Sequence, residues 1–160
     1  NINGESNKVR FLPAFNGLGA PFWDSDIRGG FCGLTQDSSI QDMVTACFNS
    51  VAFQTKEITS ILEKYDIRVS SLLVDGGMVK NKTFCQILAN SLEKEILQPQ
   101  NVESTALGAC IVAMASSGND LNNIIASDMD IFKPNVENTI SIKKSYDEWK
   151  SYLIHTMRPK

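Results

Sequence analysis

The sequence is short of histidine, of closely paired cysteines, of excess positive charge and of long apolar runs. His155 is the single histidine among 160 residues. Without a second imidazole or a Cys-x-x-Cys pair, no ligand pair has the spacing that holds zinc, and nothing suggests a Ser–His–Asp or Cys–His nucleophile around the one histidine, near the chain end. The four cysteines, Cys32, Cys47, Cys85 and Cys110, each stand in an apolar stretch. They read as buried, reduced thiols of a cytoplasmic protein rather than as disulfide partners. Lys and Arg number 15 against 18 Asp and Glu, for a net charge of −3. That balance argues against a broad basic surface for nucleic acid. No apolar run approaches the roughly 20 residues of a membrane-spanning helix. The opening residues NINGESNKVR are polar, carry no initiator Met and lack the apolar centre of a signal peptide. They suggest a fragment of a longer protein or a processed product.

What is present suits one globular domain. Apolar residues make up 42% and charged residues 21%, and a chain of this length buries roughly 70% of its unfolded surface. There is no internal repeat and no low-complexity segment.

Residues 11–29, FLPAFNGLGAPFWDSDIRG, are rich in Gly, Pro and aromatics and follow no regular period. They read as a structured loop in which aromatics pack and glycines turn. GFCGLT, 30–35, suggests a short strand. Ser38 lies three residues before Gln41, a capping signal. Ile40, Met43, Val44, Cys47, Phe48, Val51 and Ala52 then recur at helical spacing, and Phe53, Ile58, Ile61 and Leu62 extend it, predicting one long amphipathic helix over 40–64. Leu72–Val74 is a short apolar run ahead of two glycines and reads as a buried strand. Asn81 is placed to cap a helix over 82–92. Glu95–Leu97 predict another strand. Ser104 or Thr105 is expected to cap a helix of small residues that Gly118 ends. A short helix is expected over 119–127 and a longer one over 144–157. Strands alternating with helices imply an α/β domain of parallel strands with crossover helices.

Three stretches could carry chemistry. In LLVDGGMVKN, 72–81, a strand runs into glycines and then a helix start. Ligands of α/β sheets sit beyond the carboxyl ends of strands, glycines allow close approach, and helix-start N–H groups favour anions. A plain tight turn with Asn81 as a cap accounts for the same residues. The pattern matches neither GxGxxG nor GxxxxGK[ST]. In ESTALGAC, 103–110, small residues permit close helix packing, either as packing alone or behind a ligand loop. In FNGLGAPFWDSDIRGG, 15–30, Asp24 and Asp26 stand beside Phe22, Trp23 and Arg28. Two carboxylates could serve acid–base work or a metal, while a loop pinned by aromatics and surface ion pairs is the simpler reading.

Taken together and in order, FLPAFNGLGAPFWDSDIRGGFCGLT (11–35), VAFQTKEI (51–58), LLVDGGMVKN (72–81) and ESTALGACIVAMASSG (103–118) resemble the C-terminal domain of the glycerol kinases. These belong to the FGGY carbohydrate kinases of the actin-like ATPase superfamily. A weaker match continues through YDEWKSYL, 146–153. The resemblance implies part of a ribonuclease H-like, actin-like ATPase domain, with 1–160 as the nucleotide-binding C-terminal portion, truncated on its N-terminal side. It implies phosphorylation of glycerol by ATP with Mg2+ in the full-length protein, without nucleic acid or membrane, and leaves a homo-oligomer open. Kinases of another polyol or sugar, and non-catalytic nucleotide-binding or interaction modules, are the alternatives. It also implies that Gly77 and Asn81 contact the nucleotide, that Gly76 helps the close approach, and that the TALGA helix packs beside this loop. The general base, the acceptor site and the phosphate hairpins fall upstream of residue 1, so no residue here is assigned as base and the chain alone should be inactive. The strands that would flank Leu72–Val74 are missing as well, which predicts an exposed strand edge. Two positions depart from the pattern: Asn49 stands where the family usually has Glu, and Gln36 where it usually has Arg.

Overall fold

The computed structural model describes residues 8–100, 103–118 and 128–157. The elements run β1 (Arg10–Leu12), β2 (Gly30–Cys32), α1 (Ile40–Lys64), β3 (Ser71–Leu73), a 3-10 turn (Gly77–Lys80), α2 (Lys82–Leu92), β4 (Glu95–Pro99), α3 (Ser104–Ser116), β5 (Met129–Phe132) and α4 (Val136–Thr156). The helix expected over 119–127 lies outside the described residues.

Strand β3 pairs parallel with β4, and α2 makes the crossover between them. The expectation of parallel strands extends no further. β5 runs antiparallel to β4, with Leu97 opposite Ile131, and β1 and β2 form a separate antiparallel pair. The three-stranded sheet has the order β3-β4-β5, so β3 is an edge among the described residues. One sheet face packs. Leu72, Ile96 and Phe132 share a row across the strands and meet Ala52 of α1 and Ile87, Leu88 and Leu92 of α2.

A second cluster lies under α4. Leu12, Leu18, Ile27 and Phe53 surround Ile142, Tyr146, Trp149 and Leu153. The Trp149 indole N–H donates to the Phe11 carbonyl at 2.9 Å, so this large ring is buried with its polar atom satisfied. Glu57 is buried beside it, accepting hydrogen bonds from the Tyr146 hydroxyl and from Lys150 Nζ, the latter at 2.7 Å. Burial, then the Glu57 carboxylate, push the Tyr146 hydroxyl up to about 12. Because α1 supplies Ala52 to one cluster and Phe53 to the other, it is the spine between them.

Helix α1 spans the predicted 40–64, but its cap and its buried face differ from expectation. The cap is Ser39, not Ser38, in a reciprocal box with Asp42 (Ser39 N–H to Oδ2 2.8 Å, Asp42 N–H to Ser39 Oγ 3.2 Å). The Ser38 hydroxyl accepts from Thr35 N–H instead, at 2.8 Å. The fully buried positions include Thr45, Asn49, Ser50 and Thr59, whereas Ile40 is exposed. The hydroxyls of Thr45, Ser50 and Thr59 bond back to carbonyls of their own helix, so small polar residues are buried at little cost. Asn49 is neutral where a carboxylate would need a charged partner.

Helix α3 is the largest correction. Close packing was expected from its small residues, yet none of its residues is buried. Small side chains permit a close approach but do not supply the surface to approach, and the described residues bury none of this helix. Cys110 is accordingly exposed, against the expectation of buried thiols, while Cys85 is buried and Cys32 and Cys47 are half-buried.

Candidate functional site

The glycine loop leaves the carboxyl end of β3. Val74 continues the ladder through its N–H to Leu97 O at 2.9 Å. Asp75 Oδ1 then accepts from Gly76 N–H at 2.7 Å. Gly76 sits at φ +99° and ψ −179°, a conformation open to glycine and strained for other residues. The chain turns there into the 3-10 turn. Within it Val79 is buried against Phe84 and Cys85, with Phe48, Val51, Val74 and Phe132 around them. That apolar plug holds the loop down. A Cβ built on Gly76 or Gly77 would meet no atom within 4 Å, so the backbone presents an open surface at both glycines.

Asn81 ends the turn and starts α2. Its Oδ1 accepts from Thr83 N–H at 3.0 Å and Phe84 N–H at 3.3 Å, satisfying two of the donors a helix start leaves free. The residue is exposed, and its carboxamide nitrogen has no hydrogen bond among the described residues. The predicted site residues Gly76, Gly77 and Asn81 are thus consecutive parts of one loop surface. Lys80 and Lys82, which sequence reasoning passed over, flank Asn81 with their ammonium groups on Glu103 Oε1 at 2.9 Å and Asp130 Oδ2 at 2.8 Å. These hydrogen-bonded carboxylates raise both lysines above their usual range. The signal was visible as Lys-Asn-Lys, but their partners lie far along the chain.

The aromatic loop resolves toward its simpler reading, with a change. Asp24 Oδ1 accepts from Asp26 N–H at 2.9 Å and Ile27 N–H at 3.2 Å, so that carboxylate closes a turn. Arg28 donates to the carbonyls of Ser25 and Ile27 rather than entering a surface ion pair. Gly17, at φ +87°, leaves no room for a Cβ, which would lie 2.6 Å from Asp24 O. Phe22 packs on the core, but Phe15 and Trp23 are exposed, so only part of the expected aromatic packing exists. His155 is exposed on α4, with Nδ1 2.7 Å from Ser151 O. Among the described residues no three His, Cys, Asp or Glu side chains converge as a metal site would require, and no helix is long and apolar enough to cross a membrane.

A parallel strand pair joined by a crossover helix, with the glycine loop at the strand's carboxyl end, is a general ligand-binding arrangement of α/β proteins, and the solved kinases this chain superposes on make it part of an actin-like ATPase fold. The comparisons agree. Residues 4–117 match the FGGY family of carbohydrate kinases, C-terminal domain, and the chain belongs to that family. It is 39% identical over 152 residues to a glycerol kinase of Alteromonas mediterranea, covering 92% of this chain and 30% of that protein. Its fold superposes on Plasmodium falciparum glycerol kinase, solved with ADP, with a TM-score of 0.76 and 30% identity, over 100% of this chain and 32% of that one. A ligand-bound xylulose kinase of Lactobacillus acidophilus gives a TM-score of 0.75 at 26% identity, over 92% of this chain and 31% of that one. The chain therefore spans about a third of the length of the relatives it matches.

Proposed function

We propose that this chain is the nucleotide-binding C-terminal portion of a cytoplasmic kinase that transfers the γ-phosphoryl group of ATP to glycerol, yielding glycerol 3-phosphate and ADP. The observation that carries the nucleotide reading is the loop itself. Gly76 and Gly77 offer bare backbone, and Asn81 caps α2 through its oxygen while its amide nitrogen has no hydrogen bond among the described residues and can donate to a ligand. One side chain can so hold the helix and reach a ligand. The glycerol kinases among its relatives, one of them solved with ADP, support the choice of acceptor and nucleotide.

The chemistry divides accordingly. Phosphoryl transfer rests on holding donor and acceptor in line and stabilising charge. This chain's share is to position the nucleotide through Gly77 and Asn81, with Gly76 setting the turn. The described donors do not form a protein cage for Mg2+. The ion would reach the site on the nucleotide's phosphates, as its preference for phosphate oxygen and water allows. No carboxylate here is given the task of taking the hydroxyl proton. Asp75 is engaged with Gly76 N–H and Asp24 with its own turn.

Two experiments test this. The full-length protein is expected to phosphorylate glycerol in preference to pentuloses, and the 160-residue chain alone to phosphorylate neither. A full-length protein acting on xylulose and not on glycerol would replace the acceptor and keep the class. Asn81→Ala is expected to cost about 1 kcal/mol of stability through the lost cap and to weaken ADP binding in the full-length protein. Unchanged ADP affinity in that variant would leave Asn81 as a cap only.

A further inference from the structure

We propose that Lys80 and Lys82 are positioning residues, whose ion pairs with Glu103 and Asp130 tether the glycine loop on both sides of Asn81 and set the affinity for a nucleotide; this rests on the nucleotide reading above. The two lysines are the immediate neighbours of Asn81 in the chain. Each reaches a different element. Lys80 bridges 23 residues to the residue that opens α3, and Lys82 bridges 48 residues to β5. Exposed ion pairs add little to global stability. Their placement here is therefore better read as local restraint.

The loop needs restraint. Gly76 and Gly77 precede it, and glycine leaves a chain more freedom than any other residue. Within the turn the Asn81 N–H bonds to Met78 O at 3.1 Å, and Val79 supplies the apolar plug. Cys85 Sγ also donates to Val79 O at 3.3 Å. The two ion pairs add links that these contacts do not make, from the turn to the residue preceding α3 and from the start of α2 to β5. Glu103 makes no side-chain cap bond to α3, and its Oε1 meets Lys80 Nζ at 2.9 Å.

A competing arrangement has the lysines swing onto the phosphates. The two differ in sign. If the pairs position the loop, removing an acid weakens binding; if the lysines bind phosphate, removing an acid releases a cation and tightens it.

The test uses the full-length protein, with ADP affinity from titration calorimetry and ATP KM and kcat from steady-state kinetics. Lys80→Glu, Glu103→Lys and Glu103→Gln are each expected to weaken ADP binding about two- to five-fold, the range of an exposed pair. The double variant Lys80→Glu/Glu103→Lys is expected to restore it. Lys82→Glu, Asp130→Lys and their combination should behave alike. KM for ATP should rise while kcat and the thermal midpoint hold, which a merely structural role would not produce. Tighter binding by Glu103→Gln, singles without effect, or a double variant no better than its singles would each overturn the proposal. Asn81→Ala and Gly77→Val separate the two layers. If both keep full ADP affinity, the nucleotide reading falls; if both lose it while the lysine and acid variants do not, only the tether falls.

Discussion

Gly77→Val is expected to abolish most nucleotide binding while leaving the fold intact. A Cβ added at Gly77 meets no atom of the described residues beyond its chain neighbours within 4 Å, and its backbone is not in the left-handed region. The folded chain has room for it. A surface change of this kind ordinarily moves stability by no more than about 0.5 kcal/mol. Among the described residues nothing stands at the Cβ position, so the isopropyl group is expected to meet what lies on the loop. Overpacking a close contact costs about 1–3 kcal/mol, which is on the order of tenfold or more in affinity. Calorimetric titration with ADP and thermal unfolding, measured on the same preparations, check both halves. Gly76→Val makes the contrast. Its φ of +99° would be strained by any side chain, so that variant should disturb the loop as well as the ligand. Full ADP affinity in Gly77→Val would mean that no nucleotide rests on this backbone.

Trp149→Ala is expected to lower the stability of the chain by about 3–5 kcal/mol, the usual cost of emptying a large aromatic site. Trp149 is 1% exposed. Its ring lies 5.7 Å from that of Phe53 and is stacked at 6.4 Å on Tyr146, so the cavity would open where α1 meets α4. The Phe11 carbonyl would lose its donor as well, and an unsatisfied buried acceptor adds about 1–3 kcal/mol if no water reaches it. Against a total of about 5–15 kcal/mol for a domain, this one change removes a large share. Urea unfolding followed by circular dichroism reads it. Trp23→Ala is the internal control, because Trp23 is 78% exposed and should change little. Equal losses at the two tryptophans would show that the cluster under α4 does not carry the fold.

The sequence read well where local rules suffice. The spans of α1 and α2 follow from apolar spacing at 3.6 residues, and Gly118, at φ +77°, ends α3 as its position suggested. LLVDGGMVKN was legible as strand, turn and capped helix, because each step depends on neighbours only a few residues away. The strand expected to be buried, however, is half-buried at Leu72 and exposed at Leu73, since it lies at a sheet edge among the described residues. The turn at Gly76 and Gly77 and the cap at Asn81 are therefore local properties. The ion pairs of Lys80 and Lys82 are not, since their partners stand 23 and 48 residues off. The same limit hid β1 and β5. Arg10–Leu12 and Met129–Phe132 are short, and what makes them strands is pairing with Gly30–Cys32 and with β4. The first half of α4, from Val136, was missed because Val136 and Ile140 on it are exposed and mark no buried stripe.

By itself, then, the sequence determined the long helix α1, the capped helix α2 and the glycine loop before it, because periodicity, capping and positive-φ glycine are properties of adjacent residues. Only the tertiary structure decided that Ser39 rather than Ser38 caps α1, that Trp149 is buried while Trp23 is not, that β5 runs antiparallel, and that the α3 stripe of small residues lies open. Each of those depends on which distant surface is available to bond or to exclude water, and no short window of sequence contains that surface.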